Sequence, residues 1–241
     1  MTRRLTVLGS CGAFPEPGRA CSGLLVQWDG FRLVLDLGYA TFPRLLSHCA
    51  DVDAVAVTHE HPDHCVDLHA LFRMRFYGRQ ARSRLPLYCP PGVIRRLSAL
   101  EPEVPLDAVF DIHELPGSHR VGPFELTGIP LPHHVPNSGI RLETDGLTLA
   151  YTGDCGPDPR LADLGRDADL FIVEATDRAG RDPNLMTSAD AGRWAARAGA
   201  RRLMLTHFWP GNDRSEAVSA ARAHFAGEVI AADEDLVVSL S

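Results

Sequence analysis

The segment VTHEHPDHCVD, which runs from Val57 to Asp67, decides how this sequence is interpreted. Three histidines and one aspartate fall within residues 59–64, in the spacing H-x-H-x-D-H. Imidazole and carboxylate groups are the ligands that zinc-like ions prefer, and each needs a rigid support. The apolar run DAVAVTH (53–59) leads into the segment and predicts a buried strand. The sequence therefore predicts a metal site on a loop at the end of a strand.

The same segment indicates two metal ions rather than one. Alternation along the chain places His59 and His61 on one side of the loop. Asp63 and His64 then remain for a second ion. One cluster cannot complete two coordination shells, so further ligands must come from later strand ends. The candidates at the C-terminal ends of predicted strands are His133, His134, Asp154 and His207.

The distribution of apolar runs predicts an α/β fold. Strands are predicted in both halves of the chain, with two-residue turns at Asp29-Gly30 and Asp145-Gly146. Helices are predicted over residues 64–78 and over residues 187–199, the second with Thr187 as its N-cap. Two strand-rich halves that each carry helices suggest two packed sheets with helices outside. Because no linker rich in proline, serine or glycine divides the chain, residues 1–241 are predicted to form a single domain.

The composition is that of an ordinary globular protein, and the sequence argues against a membrane-spanning or a secreted protein. Hydrophobic residues make up 45% and charged residues 23% of the 241 residues. No apolar run reaches the roughly 18 residues of a membrane span. The N-terminus does not resemble a secretory signal, so a cytoplasmic location is expected. The six cysteines include no C-x-x-C pair, and cytosolic thiols are normally reduced.

The net charge argues against a large nucleic acid as partner. The chain carries 31 acidic and 24 basic residues, a net charge of −7, which gives no general attraction to a phosphate backbone. A small-molecule substrate is therefore expected, with no membrane partner, and a homodimer is compatible with the sequence. A local group of arginines is interpreted as part of a solvated helix and turn: Arg73, Arg75, Arg79, Arg82 and Arg84.

Four motifs together resemble the metallo-β-lactamase fold hydrolases over essentially the whole chain. THEHPDH, the histidine before NSG, TGD and LTH occur in the order typical of that family. The resemblance implies a four-layered αββα sandwich that binds two divalent ions, zinc being the first expectation and manganese or iron the alternatives. It also implies the ligands. One ion would be bound by His59, His61 and a histidine of the 133/134 pair, the other by Asp63, His64 and His207, with Asp154 as the bridge.

One branch of the family, which includes ribonuclease Z and phosphodiesterases, helps to choose between His133 and His134. That branch typically has a histidine six residues before a glycine, in a segment like H-S-V-P-S-Y-G-Y-R. The segment HHVPNSGIR fits with His133 at that position and Gly139 as the glycine. His133 is therefore the predicted ligand, while His134 points toward the pocket or packs away. Asp36 resembles the family's aspartate that orients a ligand histidine, and a turn cap at the strand end is its alternative role.

The chemistry expected of such a centre is hydrolysis. Two bound divalent ions lower the pKa of a shared water and stabilise the charge that develops on the electrophile. Phosphodiesters, thioesters, lactones and β-lactams are all candidate substrates. Most zinc β-lactamases with two metals have a cysteine where Asp154 stands, which argues against β-lactams.

Further likenesses make a small phosphodiester, such as a cyclic nucleotide, the first hypothesis for the substrate. The stretch 8–23, LGSCGAFPEPGRACSG, resembles the start of the ribonuclease Z-like branch. The stretch 61–78, HPDHCVDLHALFRMRFYG, resembles actinobacterial cyclic-nucleotide phosphodiesterases of this fold. The basic, glycine-rich arm with which ribonuclease Z grips tRNA is not found. The enzyme would therefore be phosphodiesterase-like but would not act on a large RNA.

The sequence also differs from the ribonuclease Z-like branch at the position of the general acid. The branch often carries a histidine in an H-x-T motif near the leaving group, and Leu185 occupies that position here. Glu174, the usual partner of that histidine, is present. The residues predicted to act in the reaction are Asp63, Glu174 and His134.

Leu185 keeps two alternative functions open. A thiolate or an acidic leaving group departs without a general acid. A thioester or lactone hydrolase of the same fold, in a biosynthetic pathway, is therefore the first alternative. A metal-binding accessory protein without turnover is the second.

Overall fold

The strands form two sheets in the computed structural model, which describes residues 2–78 and 83–240. The strands of the first sheet are β1 (Arg3–Gly9), β2 (Gly23–Trp28), β3 (Phe31–Leu37), β4 (Ala54–Ala56), β5 (Leu85–Cys89), β6 (Phe110–Glu114) and β14 (Val237–Ser239). Those of the second are β7 (Ser118–Val121), β8 (Phe124–Leu131), β9 (Asn137–Thr144), β10 (Leu147–Tyr151), β11 (Leu170–Glu174), β12 (Arg202–Thr206) and β13 (Glu228–Ala231). The first sheet has the order β14-β1-β2-β3-β4-β5-β6, and the second has the order β13-β12-β11-β10-β9-β8-β7.

Helices cover the outer face of each sheet. The helices are α1 (Thr41–His48), α2 (Pro62–Cys65), α3 (Leu68–Tyr77), α4 (Pro91–Leu100), α5 (Arg160–Leu164), α6 (Ser188–Ala198) and α7 (Arg214–Arg222), with a short 3-10 helix at Leu106–Ala108. Helices α1, α3 and α4 share an apolar core with the first sheet. Helices α5, α6 and α7 share another with the second sheet.

Side-chain alternation explains why the two sheets form four layers with their helices. In β3, Leu33 and Leu35 enter the core between the sheets, whereas Val34 faces the helices. In β11, Ile172 faces the other sheet and Phe171 faces the helices. Strands that are apolar on both faces must be covered on both faces. The predicted four-layered αββα sandwich is confirmed. No helix within residues 2–78 and 83–240 is long and apolar enough to cross a membrane.

The predicted hairpin turns and the helix cap are present. Asp29 and Gly30 have φ values of 48° and 99°, and the flanking residues Trp28 and Phe31 are paired. Both turn residues lie in the left-handed region that two-residue hairpin loops of this kind require. The turn at Asp145-Gly146 joins β9 to β10 through the pairing of Thr144 with Leu147. The Thr187 side chain accepts a hydrogen bond from the Asp190 amide at the start of α6.

The helix predicted over residues 64–78 is confirmed over Leu68–Tyr77 but is not continuous, because α2 ends at Cys65 and α3 begins at Leu68. The Asp67 amide donates to the Leu37 carbonyl at 2.9 Å, so it is lost to the helical ladder. The Asp67 carboxylate also accepts from the Phe42 amide at 2.9 Å. These contacts with the end of β3 and the start of α1 separate the two helices.

The interpretation of the arginine group as solvated is wrong for Arg75. Its side chain is only 5% exposed and forms an ion pair with Asp51 at 2.6 Å. Its guanidinium also donates to the Ser83 carbonyl at 2.7 Å. Paired in this way, the charge can be buried against the helix. Arg79 and Arg82 lie outside the described residues.

Candidate metal centre

The ends of four strands bring the seven predicted ligands together. The loop after β4 carries four of them, and the ends of β8, β10 and β12 carry one each. In two groups, the donor atoms all lie within 4.8 Å of one another. The first group consists of His59, His61, His133 and Asp154, and the second of Asp63, His64 and His207.

In the first group, three imidazoles face one another. Nδ1 of His61 lies 3.1 Å from Nε2 of His59 and 3.1 Å from Nε2 of His133. Oδ2 of Asp154 is 3.9 Å from His59 Nε2 and 3.8 Å from His133 Nε2. Three ring nitrogens and one carboxylate oxygen around a common point match the donor set of a tetrahedral zinc-type site.

In the second group, Asp63 lies between two imidazoles. Its Oδ2 is 3.2 Å from His207 Nε2 and 3.9 Å from His64 Nε2. Asp154 reaches this group as well, with Oδ1 at 3.2 Å from His64 Nε2 and Oδ2 at 3.3 Å from His207 Nε2. Asp154 therefore contacts both groups, which is the position predicted for the bridge.

In His59 and His133, Nε2 faces the other donors of the first group and Nδ1 forms a hydrogen bond away from them. These hydrogen bonds fix which ring nitrogen carries the proton. His133 Nδ1 lies 3.1 Å from the Asn184 carbonyl, which can only accept, so this nitrogen is protonated and Nε2 keeps its lone pair. His59 Nδ1 donates to the Thr58 hydroxyl at 3.0 Å. Such partners orient the imidazoles that bind metals and raise their basicity.

The second group is supported in the same way. His64 Nδ1 donates to Asp36 Oδ2 at 2.7 Å, and His207 Nδ1 donates to the Thr176 hydroxyl at 2.7 Å. Asp36 is fully buried and also accepts from the Thr58 amide at 2.8 Å and the Tyr151 hydroxyl at 2.8 Å. Asp36 therefore orients a histidine of the centre, and its carboxylate does not cap the turn after β3.

The electrostatics of the first group favour neutral imidazoles. Burial lowers the pKa of His59 and, to a smaller extent, the pKa values of His61 and His133. A neutral ring offers the lone pair that a metal ion needs.

The surroundings of the second group favour positive charge. Burial alone would lower the pKa of His64, but the charges of Asp154 and Asp36 outweigh it and hold that pKa well above its usual value. Burial alone would raise the pKa of Asp63, but the hydrogen bond with His207 and the neighbouring charges lower it. Both effects indicate ionised carboxylates that attract a cation.

One buried atom supports the same conclusion. Oδ1 of Asp154 has no hydrogen bond of acceptable geometry within the described ranges, although His64 Nε2 is near. A buried carboxylate oxygen without a partner is costly. A divalent cation between the two groups would satisfy it, so the residues present fit the ions that the sequence predicts.

The backbone before Asp154 depends on glycine. Gly153 has a φ of 59°, and a Cβ at this position would lie 2.7 Å from the Thr58 Cβ. A larger residue would therefore be strained in its backbone and would collide with the loop after β4. This contact explains the glycine of the TGD motif.

Glu174 lies behind the centre. Its side chain is fully buried, and Oε1 accepts from the Cys155 amide at 2.5 Å. Burial and the charge of Asp154 raise the pKa of Glu174 to about 8. Because the carboxyl group has no exposed surface, its geometry suits support of the residues after β10 rather than contact with a substrate.

His134 lies outside both donor groups, on a solvent-exposed part of the loop after β8. Its side chain is 48% exposed, and Nε2 is 3.2 Å from Asp182 Oδ2. The His134 ring lies 5.0 Å from the ring of His133. Leu185 is half-buried on the same turn as Asp182, whose carbonyl accepts from the Leu185 amide.

Tyr151, Thr58 and Thr176 support the centre but were not identified from the sequence. For Tyr151 a signal existed. Leu147, Leu149 and Tyr151 alternate on the inner face of β10. A tyrosine at such a buried position needs a partner for its hydroxyl. Thr58 directly precedes His59 and Thr176 follows Glu174 by two residues, but neither threonine carries a pattern that distinguishes it.

Comparisons with known proteins agree with the geometry. A family model described as "Beta-lactamase superfamily domain" matches residues 30–208. An uncharacterised protein of Mycobacterium tuberculosis is 34% identical over 240 residues, which cover 94% of this chain and 88% of the relative. A ribonuclease Z of Kineococcus radiotolerans is 30% identical over 281 residues, which cover 92% of this chain and 88% of that relative. The crystal structure of the metallo-beta-lactamase fold protein YhfI from Bacillus subtilis superposes with a TM-score of 0.89 at 28% identity, covering 99% of this chain and 100% of that one.

Proposed function

Because this chain belongs to the beta-lactamase superfamily of metallo-hydrolases, we propose that it hydrolyses a small phosphodiester with two divalent metal ions. Cyclic nucleotides are the leading substrate class. The observation that carries the proposal is the pair of donor groups joined by Asp154. Asp154 also supports the choice of a phosphodiester over a β-lactam.

In this proposal, His59, His61 and His133 would hold one ion, Asp63, His64 and His207 would hold the other, and Asp154 would serve both. Zinc is the first expectation for these nitrogen and carboxylate donors, and manganese or iron are alternatives. Such a pair of ions, when bound, activates water near neutral pH and stabilises charge on the phosphoryl group. The protein contributes fixed tautomers, through Asp36, Thr58, Thr176 and the Asn184 carbonyl.

We assign the protonation of a leaving oxygen to His134, because its side chain is half exposed and its ring lies 5.0 Å from the ring of His133. Asp182 accepts a hydrogen bond from Nε2 and so orients the ring, which leaves Nδ1 as the atom for proton transfer. Asn184 Nδ2 lies 3.4 Å from Nδ1, a contact that a leaving group can replace. The pair of His134 and Asp182 would then do what a histidine at position 185 does in the ribonuclease Z-like branch.

Replacing His134 by alanine is expected to lower kcat about 10²-fold for cyclic AMP, whose leaving group is an alkoxide that needs a proton. For bis(p-nitrophenyl) phosphate, the same change is expected to lower kcat less than about tenfold, since p-nitrophenolate departs unprotonated. Steady-state kinetics with both substrates measure the difference. Asp182→Asn should reproduce part of it, and an equal loss on both substrates would argue against the role.

The function itself is tested by assaying zinc- and manganese-loaded protein on cyclic AMP, bis(p-nitrophenyl) phosphate, an acyl thioester and a lactone. Clear turnover of the phosphodiesters is expected. Background turnover of both phosphodiesters together with thioester or lactone cleavage would reject the proposal. That result would favour the thioester or lactone hydrolase, the alternative that Leu185 supports, since the leaving groups of these substrates need no general acid. Fewer than two ions per chain and no hydrolysis would favour the accessory protein.

The expectations of a cytoplasmic location, a small-molecule substrate and a homodimer belong to this proposal. A small substrate agrees with the net charge of −7.

A further inference from the structure

A cavity of about 260 Å³ lies beside the metal-binding loop, between that loop and α4. Its walls are mostly apolar, and α4 supplies a large part of them. The lining includes Tyr39, Pro62, Arg96, Leu97, Ala99 and Leu100. The volume is below the roughly 300–1,000 Å³ of sites that enclose a whole ligand, so the cavity suits one group of a larger molecule.

The cavity is connected to the candidate metal centre through Pro62. This residue lines the cavity and stands between His61 of the first donor group and Asp63 of the second. Consecutive Cα atoms are about 3.8 Å apart, so the Pro62 wall of the cavity is continuous with the backbone of a ligand from each group.

The loop and α4 are held together by Glu60. Its carboxylate fits against Gly92, where a Cβ would lie 1.4 Å from Oε2. Arg95 Nη2 lies 3.0 Å from Oε2, and Arg96 Nη2 lies 3.3 Å from Oε1. Because Glu60 is flanked by His59 and His61, these contacts fix the cavity wall relative to the first donor group.

The charge at this contact is complementary to an anion. Two guanidinium groups face the single carboxylate of Glu60, which leaves one positive charge in excess. The side chain of Arg96 is 49% exposed and lines the cavity. A guanidinium of this kind has donors left for a phosphate.

The mouth of the cavity exposes an aromatic ring. Tyr39 is 36% exposed and Leu100 is 50% exposed, although burial of such groups is favourable. Large exposed apolar groups beside a polar centre are typical of binding sites. An aromatic face at the mouth suits stacking of a planar ring.

We propose that this cavity binds the heteroaromatic base of a nucleotide whose phosphate is directed toward Arg96 and the metal centre. The proposal rests on the proposed function and names its substrate class more closely. The base enters the apolar space between Pro62 and Leu97 and stacks on Tyr39.

The test is a calorimetric titration of zinc-loaded protein with adenosine 5′-monophosphate and with ribose 5-phosphate, which lacks the base. Adenosine 5′-monophosphate is expected to bind about tenfold more tightly or better. Ala99→Trp, which fills the mouth from an exposed position of α4, should remove this preference. The matched control is Ser98→Trp, at the neighbouring exposed position of α4 and outside the cavity lining, and it should keep the preference.

A second matched pair removes an aromatic ring instead of adding one. Tyr39→Ala should reduce the preference, whereas Tyr77→Ala, which removes an exposed tyrosine on α3, should leave it unchanged. An equal affinity for the two ligands, or a preference that Ala99→Trp leaves intact, would overturn the proposal. Loss of octyl phosphate binding in Ala99→Trp, without loss of adenosine 5′-monophosphate binding, would assign the cavity to an alkyl chain and overturn it too.

The binding assay separates this proposal from the proposed function. A base-dependent affinity that Ala99→Trp abolishes, in a protein without phosphodiesterase activity, would support the base site and reject the function. Hydrolysis of phosphodiesters with no base-dependent affinity would support the function and reject the base site.

Discussion

Replacing Asp154 by alanine is expected to lower kcat/KM for phosphodiesters by at least about 10³-fold and to reduce bound metal to fewer than two ions per chain. The reason is that its carboxylate reaches both donor groups, with Oδ1 at 3.2 Å from His64 Nε2 in the second group and Oδ2 at 3.8 Å from His133 Nε2 in the first. No other carboxylate among residues 2–78 and 83–240 belongs to both sets of contacts. Steady-state kinetics and elemental analysis of the dialysed protein measure the two effects.

The control for this change is Asp163→Ala, which removes a carboxylate that is 60% exposed and paired with Arg166 on the surface. It should retain both activity and metal, since surface ion pairs contribute little. Two tightly bound ions and more than about a tenth of the activity in Asp154→Ala would contradict the bridging role.

The second large effect is expected on stability, from Asp36→Ala. The free energy of unfolding should fall by about 3–5 kcal/mol, because four buried donors lose their acceptor. They belong to His64, Thr58 and Tyr151, and the carboxylate itself is fully buried. Denaturant unfolding in the presence of a chelator measures the change without a contribution from bound metal.

Two further variants bracket this result. Tyr151→Phe removes one of the donors and should cost only about 1 kcal/mol. Asp36→Asn keeps the shape and should lie between the two. If Asp36→Ala also cost only about 1 kcal/mol, the residue would be no more than a turn cap.

The sequence was most informative where the relevant residues are close together along the chain. The spacing of His59, His61, Asp63 and His64 within six residues is enough by itself to indicate a metal site. The two Asp-Gly turns were equally local, since the positive φ of Gly30 and of Gly146 is a property of the turn itself. The layered fold followed from alternation in the strands and from the family resemblance.

Features that depend on distant partners could not be predicted. The break between α2 and α3 arises because the Asp67 amide bonds to Leu37, thirty residues earlier. Burial of Arg75 depends on Asp51, which helical periodicity does not show. The structure places His133 with the first donor group and His134 outside it, in accordance with the choice made from the sequence, but the roles of both remain predictions.

The separation of the donors along the chain has a consequence for fragments of this protein. Asp63 and His207 lie 3.2 Å apart but are 144 residues apart in sequence. Closing so long a loop costs little more entropy than closing a shorter one, because that cost grows only slowly with length. The second donor group is nevertheless incomplete until β12 has formed beside β11. A fragment that ends before Thr206 keeps all of VTHEHPDHCVD and still lacks His207. A complete set of donors therefore requires the chain as far as His207, and the most recognisable motif does not supply it alone.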